Sequence, residues 1–136
     1  MLKRLSIAEF LGALIDWVSE RTGVPCCSDP NGKASPFYAV ELLRTEPQNT
    51  KTEFVDRYDV SIHCISEPVR PYSSAPVLDL VQKLEEAMSD DLELPEPFDL
   101  CRQEYGGLQA VKRDESDEGH AVLSFSFLIG YGFRCK

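Results

Sequence analysis

The stretch HAVLSFSFLIGYGF, residues 120–133, decides the fold. Large apolar side chains alternate in it with small or polar ones, and this period of two predicts a β-strand with one face in a hydrophobic core. The predicted core face carries every second residue: Ala121, Leu123, Phe125, Phe127, Ile129, Tyr131 and Phe133. Val122 and Leu128 fall on the opposite face, which indicates that this second face is only partly exposed.

Residues 54–64 form the next clearest strand, and residues 37–45 form an earlier one. In the longer strand, Asp56 interrupts the core face near the start. The predicted core faces of the two strands consist of Phe54, Tyr58, Val60, Ile62 and Cys64, and of Tyr38, Val40 and Leu42. The opposite face of the longer strand carries Arg57, Asp59, Ser61 and His63. We therefore expect one face of the sheet to be covered and the other to be at least partly exposed to solvent.

A fourth strand is predicted over residues 98–109, where Gly106 and Gly107 indicate a bulge or a bend. In the last strand, Gly130 and Gly132 indicate that another backbone approaches closely in or beside the sheet. Residues 26–36 are dense in turn-forming residues and predict a loop. The polar segments 46–53 and 112–119 are predicted to connect the strands of two hairpins.

Two amphipathic helices complete the pattern. The first begins at a capping box from Ser6 to Glu9 and ends at Gly23, which is expected to form a left-handed cap before Pro25. Its apolar stripe consists of Ile7, Phe10, Leu11, Leu14, Trp17 and Val18. The second helix lies within residues 77–88 and has Ser74 as its predicted N-cap. Its stripe consists of Val77, Leu80, Val81, Leu84 and Met88.

These elements follow the order α-β-β-α-β-β and predict one α+β domain over residues 1–136. We expect a mostly antiparallel four-stranded sheet made of two hairpins, with both helices packed on one of its faces. A chain of this length can bury roughly two thirds of its unfolded surface, so it needs neither a metal nor disulfides to fold.

The formal net charge is −9, and its excess lies in residues 85–99, which contain seven acidic and no basic side chains. Such a surface repels phosphate backbones, which disfavours tight nucleic-acid binding. It still permits DNA to move past an acidic surface without binding to it. The apolar stretches are too short to span a bilayer. The N-terminal residues 1–5 do not form a secretory signal, so synthesis in the cytoplasm is expected.

The residues capable of chemistry do not form a recognisable catalytic, metal or phosphate motif. The five cysteines, which we expect to be reduced thiols, are Cys26, Cys27, Cys64, Cys101 and Cys135. His63 and Cys64 point to opposite faces of a strand and cannot form a nucleophile–base pair. His120 could share the open face with His63 if their strands are neighbours, but two imidazoles without a placed carboxylate make a weak zinc site.

The other candidates also favour structural interpretations. Two acidic pairs on or after the second helix, Glu85-Glu86 and Asp90-Asp91, lack an apolar pocket that would raise a carboxyl pKa. The glycine pairs do not open a helix and so do not form a phosphate loop. The aromatic residues of the last strand alternate as a core face and have no basic neighbours, so they do not predict RNA stacking. We therefore predict no catalytic, cofactor-binding or metal-binding residue.

Several segments together resemble a known family. The first are Gly-Val-Pro (residues 23–25), which follows the first helix, and Leu-Leu-Arg-Thr-Glu-Pro (residues 42–47), which ends a strand. The others are the strand RYDVSIHC (57–64), the helix within residues 77–88 and the final SFSFLI (124–129). In this order and spacing the chain resembles the tail terminator, or tail-completion, proteins of bacteriophages and prophages. The resemblance extends over nearly the whole chain and is carried by pattern and length, without an invariant residue.

The resemblance implies a structural virion protein without enzyme activity or cofactor. It implies a homo-oligomer, a hexameric ring, which caps the tail tube and presents a docking surface to the head-completion or connector protein. DNA would be only a passing cargo, and no membrane would be involved. The protein would lie in the host cytoplasm during assembly and then in the virion tail. The connections 46–53 and 112–119 would contact ring or tube neighbours and could order on assembly.

Two other classes of function stay open. The first is a cellular α+β binding or regulatory module that uses the acidic residues 85–99 to meet a basic partner. The second is a cysteine- or metal-dependent enzyme that depends on His63 or His120.

Overall fold

A computed structural model describes residues 3–133. Predictions that involve residues 1–2 or Cys135, and the face assigned to the side chain of Phe133, lie outside the described residues. The elements are α1 (Ile7–Thr22), β1 (Cys26–Cys27), β2 (Phe37–Pro47), β3 (Glu53–Ile65), α2 (Ala75–Ala87), β4 (Asp99–Arg113) and β5 (Gly119–Phe133).

The sheet has five strands in the order β1-β2-β3-β5-β4, so the predicted α+β class is correct but the predicted count of four strands is wrong. The additional strand, β1, pairs parallel with β2 through Cys26 and Cys27, within residues predicted to be a loop. The Pro25 carbonyl extends this contact by accepting a hydrogen bond from the Tyr38 amide at 2.8 Å. A strand of two residues shows no periodicity, and that is why the sequence pattern did not indicate it.

The other four strands pair antiparallel, as predicted, and β3 and β5 form the middle of the sheet. The predicted alternation of β5 is confirmed from Ala121 to Tyr131, where every second side chain is buried. The core-face residues of β2 and β3 are also buried, apart from Leu42 and Phe54, which are partly buried against the same cluster. A period of two therefore located the core face of each of these strands.

Both helices pack on this core face and leave the opposite face of the sheet, here called the helix-free face, uncovered by helix. The ring of Phe10 in α1 lies 4.6 Å from that of Tyr58 and 5.3 Å from that of Phe127. The Tyr38 hydroxyl donates a 2.7 Å hydrogen bond to the carbonyl of Leu80 in α2. The helices also contact each other, since Trp17 Nε1 donates to the Ala87 carbonyl at 2.9 Å.

The caps of α1 are confirmed, whereas the predicted cap of α2 is confirmed only in its position. Ser6 Oγ accepts a hydrogen bond from the Glu9 amide, and Gly23 ends α1 with a φ of 73° while its amide donates to the Ser19 carbonyl. At α2, Ser74 occupies the predicted N-cap position, but its side chain makes no capping hydrogen bond. The neighbouring Ser73 hydroxyl accepts from the Ala75 amide instead.

The glycine predictions were partly correct. The register of β4 against β5 shifts between Tyr105 and Gly107, which confirms the predicted bulge, and Gly107 has a φ of 96°. At Gly130 the close neighbours are the side chains of Glu53 and Cys101, which a Cβ at this position would meet. The predicted approach of another backbone at Gly130 was therefore wrong, because a carboxylate and a thiol occupy that space.

Candidate functional site

The helix-free face carries a hydrogen-bonded charge network at the centre of the sheet. Asp59 lies in its middle, with Arg57 Nε at 2.9 Å from Oδ1 and Arg44 Nε at 3.0 Å from Oδ2. The Ser126 hydroxyl on β5 donates to Asp59 Oδ1 at 2.6 Å and accepts from Arg57 at 3.1 Å. Arg44 also contacts Glu46 at 2.9 Å, so the network joins β2, β3 and β5.

The network determines the protonation of its central carboxylate. Burial alone would raise the pKa of Asp59, but hydrogen bonds from Ser126, Arg57 and Arg44 outweigh it and hold that pKa below its ordinary value. Asp56, three residues earlier on the core face, shows the opposite balance. Burial raises the pKa of Asp56, and the charge of Arg4, at 3.4 Å, offsets only part of this effect. The ionised form of Asp59 on the helix-free face is therefore stabilised, whereas burial on the core face destabilises the ionised form of Asp56.

The two histidines meet on the helix-free face, as expected if their strands are neighbours, because β3 pairs with β5. His63 Nδ1 lies 2.9 Å from His120 Nε2, and His63 Nε2 lies 3.3 Å from Glu41 Oε1. Burial, with the neighbouring His63 and Lys112, lowers the pKa of His120, although Asp114 acts in the opposite direction. Within residues 3–133, no three His, Cys, Asp or Glu side chains are grouped to hold a metal ion.

A cavity of about 680 Å³ adjoins the histidine pair. The β2 edge, the loop after β1, the end of β3 and the tip of the β4–β5 hairpin line it, and Lys33, Phe37, Ile65 and Glu118 are among its lining residues. Its walls combine apolar and charged side chains from several separate parts of the chain, including Leu11 of α1.

Three of the cysteine side chains in the described structure, Cys26, Cys64 and Cys101, are poor nucleophiles. Cys64 is fully buried on the core face, opposite to His63, as predicted. Burial raises the pKa of the Cys64 and Cys26 thiols to about 12, and it also raises the pKa of Cys101. Since the thiolate is the reactive form, these three thiols stay protonated at neutral pH.

The acidic pairs do not form a carboxylate site. Glu85 accepts a hydrogen bond from the Tyr105 hydroxyl at 2.7 Å, and this bond ties α2 to β4. Asp90 pairs with Arg21 at 2.6 Å and ties the segment after α2 to α1. Glu86 and Asp91 are exposed. One member of each pair therefore joins two elements, while the other is solvated.

The strand β4 leaves apolar side chains exposed at one edge of the sheet. Tyr105, Leu108 and Val111, here called the β4 strip, lie on the helix side and are 46%, 43% and 40% exposed. Among the described residues, β4 pairs only with β5, so its outer edge has no neighbouring strand. Long edges with exposed apolar residues are the features that natural proteins protect or use for assembly.

The opposite edge of the sheet is also incomplete. The strand β1 pairs only with Tyr38 and Ala39 of β2, so residues 40–47 form an edge without a neighbouring strand in the described part of the chain. Leu43 on this edge is 55% exposed. One copy of the chain therefore presents two different open edges, which makes its sheet the candidate functional surface.

Sequence reasoning placed Asp59, Arg57 and His63 on the correct face but missed the charge network and the β4 strip. The available signal was that Arg57 and Asp59 on β3, and Ser126 on β5, alternate with core residues; it becomes informative only once these strands are known to pair.

Neither helix of the described residues is long and apolar enough to cross a membrane.

Comparison with known proteins identifies similar chains. A phage tail terminator family model, described as "Putative tail termination protein", matches residues 1–136. A solved structure described as "Virion of native gene transfer agent (GTA) particle" contains a similar chain, with a TM-score of 0.65 and 16% sequence identity. This match covers 83% of the present chain and 84% of that chain, and it shows the fold. No curated protein sequence matches the chain.

Proposed function

The chain belongs to the phage tail terminator family, and we propose that it caps the tail tube as a ring of identical copies. The match to the family model over the whole chain carries this proposal, and it agrees with the resemblance found in the sequence. The two open sheet edges support it, because a ring needs two different patches on each copy.

We propose six copies in the ring, as the family resemblance implies. One side of the ring would contact the tail tube protein and stop its polymerisation, and the other would dock the head-completion or connector protein. The connections 46–53 and 112–119 are the proposed contacts with neighbours. The ring would form in the host cytoplasm and remain in the virion tail. The net charge of −9 suits DNA that passes without binding.

We propose that this role involves no catalysis and no cofactor. The protonated thiols and the separation of His63 from Cys64 support this view. A structural role also agrees with the satisfied polar interior: among the described residues, no buried side-chain nitrogen or oxygen lacks a hydrogen-bond partner.

The test is to image the purified protein by negative-stain electron microscopy and to add it to polymerising tail tube protein. We expect annular particles and tubes that stop growing once capped. A matched pair of variants tests the position of the contact. Val111→Asp on the β4 strip, at a site 40% exposed, should abolish the annuli, while Ile7→Asp on α1, at a site 49% exposed, should preserve them. A chain that stays monomeric at high concentration, even beside tube protein, would contradict the proposal.

A further inference from the structure

In the proposed ring, on which this inference rests, the two open edges of the sheet belong to neighbouring copies that must meet. Each strand from β2 to β4 in the sheet order runs antiparallel to its neighbour, so β2 and β4 run in opposite directions. A rotation about an axis along the strands preserves these directions. In a ring built by such a rotation, β4 of one copy and β2 of the next would meet antiparallel and continue the sheet.

The ends of the open edges fix how far the two strands can overlap. On β2, β1 occupies the edge as far as Ala39, so the open edge begins at Val40. On the other side, β4 ends at Arg113, where the hairpin turns. Because β1 blocks further sliding, the longest pairing places Arg113 opposite Val40. Each later pair then follows from the antiparallel direction, beginning with Lys112 opposite Glu41.

The faces of the two strands agree with this register. Leu42 and Thr45 are successive helix-side residues of β2, because the register shift near Leu43 places them three apart. On β4, Leu108 and Val111 have the same spacing of three on the same side. In the deduced register, Val111 faces Leu42 and Leu108 faces Thr45. A shift by one residue would put the β4 strip on the wrong side of the sheet.

The charges also agree. On the helix-free face, Lys112 would lie opposite Glu41, whose side chain is 60% exposed beside His63. Residues 105–113 of β4 carry two basic and no acidic side chains, whereas residues 40–47 of β2 carry two acidic side chains and one basic. Opposite charges directly across an antiparallel pair stabilise it, and like charges destabilise it.

We propose that residues 106–113 of β4 in one copy pair antiparallel with residues 40–47 of β2 in a second copy, with Lys112 opposite Glu41. The occupant of each edge is therefore another copy of this chain. The pairing covers Leu108 and Val111 of the β4 strip with the neighbouring β2 and joins the helix-free faces of neighbouring copies into one continuous surface.

The experiment exchanges the charges of Lys112 and Glu41 across the proposed pairing of β4 with β2, and assembly is measured by sedimentation and negative-stain imaging. Lys112→Glu alone and Glu41→Lys alone should each raise the concentration at which half of the chain is assembled by about tenfold or more, since like charges then face each other. The double variant should return to within about threefold of the wild type. Lys83→Glu on α2 is a matched control on an exposed lysine and should leave assembly unchanged.

A second control tests the register. Glu46 lies on the same edge and the same face as Glu41, so Lys112→Glu with Glu46→Lys should not restore assembly. Equal rescue by both partners, or rescue by neither, would overturn the pairing while wild-type annuli leave the proposed function intact. A wild type that never assembles would overturn both. Thermal melts of the dilute variants should match the wild type, because Glu41 and Lys112 are exposed.

Discussion

The strands β4 and β5 are partners in one hairpin and have the same length of 15 residues, yet they are buried to very different extents. From Ala121 to Tyr131, every second side chain of β5 is buried in the core. No side chain of β4 is fully buried, and three of its apolar side chains are at least 40% exposed. A single chain therefore buries the core face of β5 by itself, while β4 keeps an exposed apolar surface that is available to another molecule.

The largest effect should separate these two strands directly, because Leu123 of β5 and Leu108 of β4 are register partners. Leu123→Ala should lower the free energy of unfolding by about 2–5 kcal/mol, since it opens a cavity in the core. Leu108→Ala, at a half-exposed site, should lower it by less than about 1 kcal/mol. Urea titrations of dilute protein measure both values, and equal losses would contradict the comparison.

The next effect contrasts the two faces of β3. Asp59→Asn should lower the free energy of unfolding by about 1–2 kcal/mol, because it weakens charge-assisted bonds to two arginines. Asp56→Asn should cause no loss at neutral pH, since burial there penalises the ionised form. Chemical denaturation at pH 7 measures both, and a larger loss at Asp56 would reverse this interpretation.

The same two aspartates should differ in the pH dependence of stability. Because the folded pKa of Asp59 is lowered, its contribution is present above about pH 3.9 and is lost as the pH falls through the folded pKa. The raised pKa of Asp56 has the opposite sign, so stability decreases as the pH rises from about 3.9 through its folded pKa. Asp59→Asn should therefore reduce the rise of the free energy of unfolding with pH in the acid range, and Asp56→Asn should make that rise steeper.

A smaller effect compares two tyrosine hydroxyls, one on each outer part of the sheet. Tyr38→Phe removes a fully buried hydrogen bond to the Leu80 carbonyl and should cost about 1 kcal/mol. Tyr105→Phe removes an exposed bond to Glu85 and should cost only a few tenths, roughly, of a kcal/mol. Thermal unfolding of the two variants tests this ranking, which a larger loss at Tyr105 would refute.

The smallest effect concerns the histidine pair. The folded pKa of His120 is lowered, so its contribution to stability is present above about pH 6.5 and is lost as the pH falls through that folded pKa. His120→Gln should therefore reduce the change in stability between about pH 7 and pH 5. Denaturation curves at both pH values measure it. An unchanged difference would show that the pair does not respond to pH.

The parts of the fold that the sequence predicts are those with regular periodicity. The alternation in β5 and β3 is uninterrupted over most of each strand, and the α1 stripe begins and ends at recognisable caps. The β4 strip escaped prediction because bulges place its members three residues apart, at positions 105, 108 and 111, and so remove the period of two. The strand β1 escaped because it has only two residues.

The candidate surface was less predictable than the fold, because it depends on contacts between distant parts of the chain. The pairing of β3 with β5 brings His63 to His120, and the pairings of β3 with β2 and β5 bring Arg44 and Ser126 to Asp59. The sequence assigned most of these residues to a face, but their neighbours followed only from the strand order.

Hydrogen exchange of the backbone amides in dilute and assembled protein tests most directly the claim that another copy completes the β4 edge. We predict that amides of β4 between residues 106 and 113, and of β2 between residues 40 and 47, gain protection on assembly. Amides of β5, which already has neighbours on both sides, should change little. Assembled particles in which both edges exchange as fast as in the dilute chain would contradict the account.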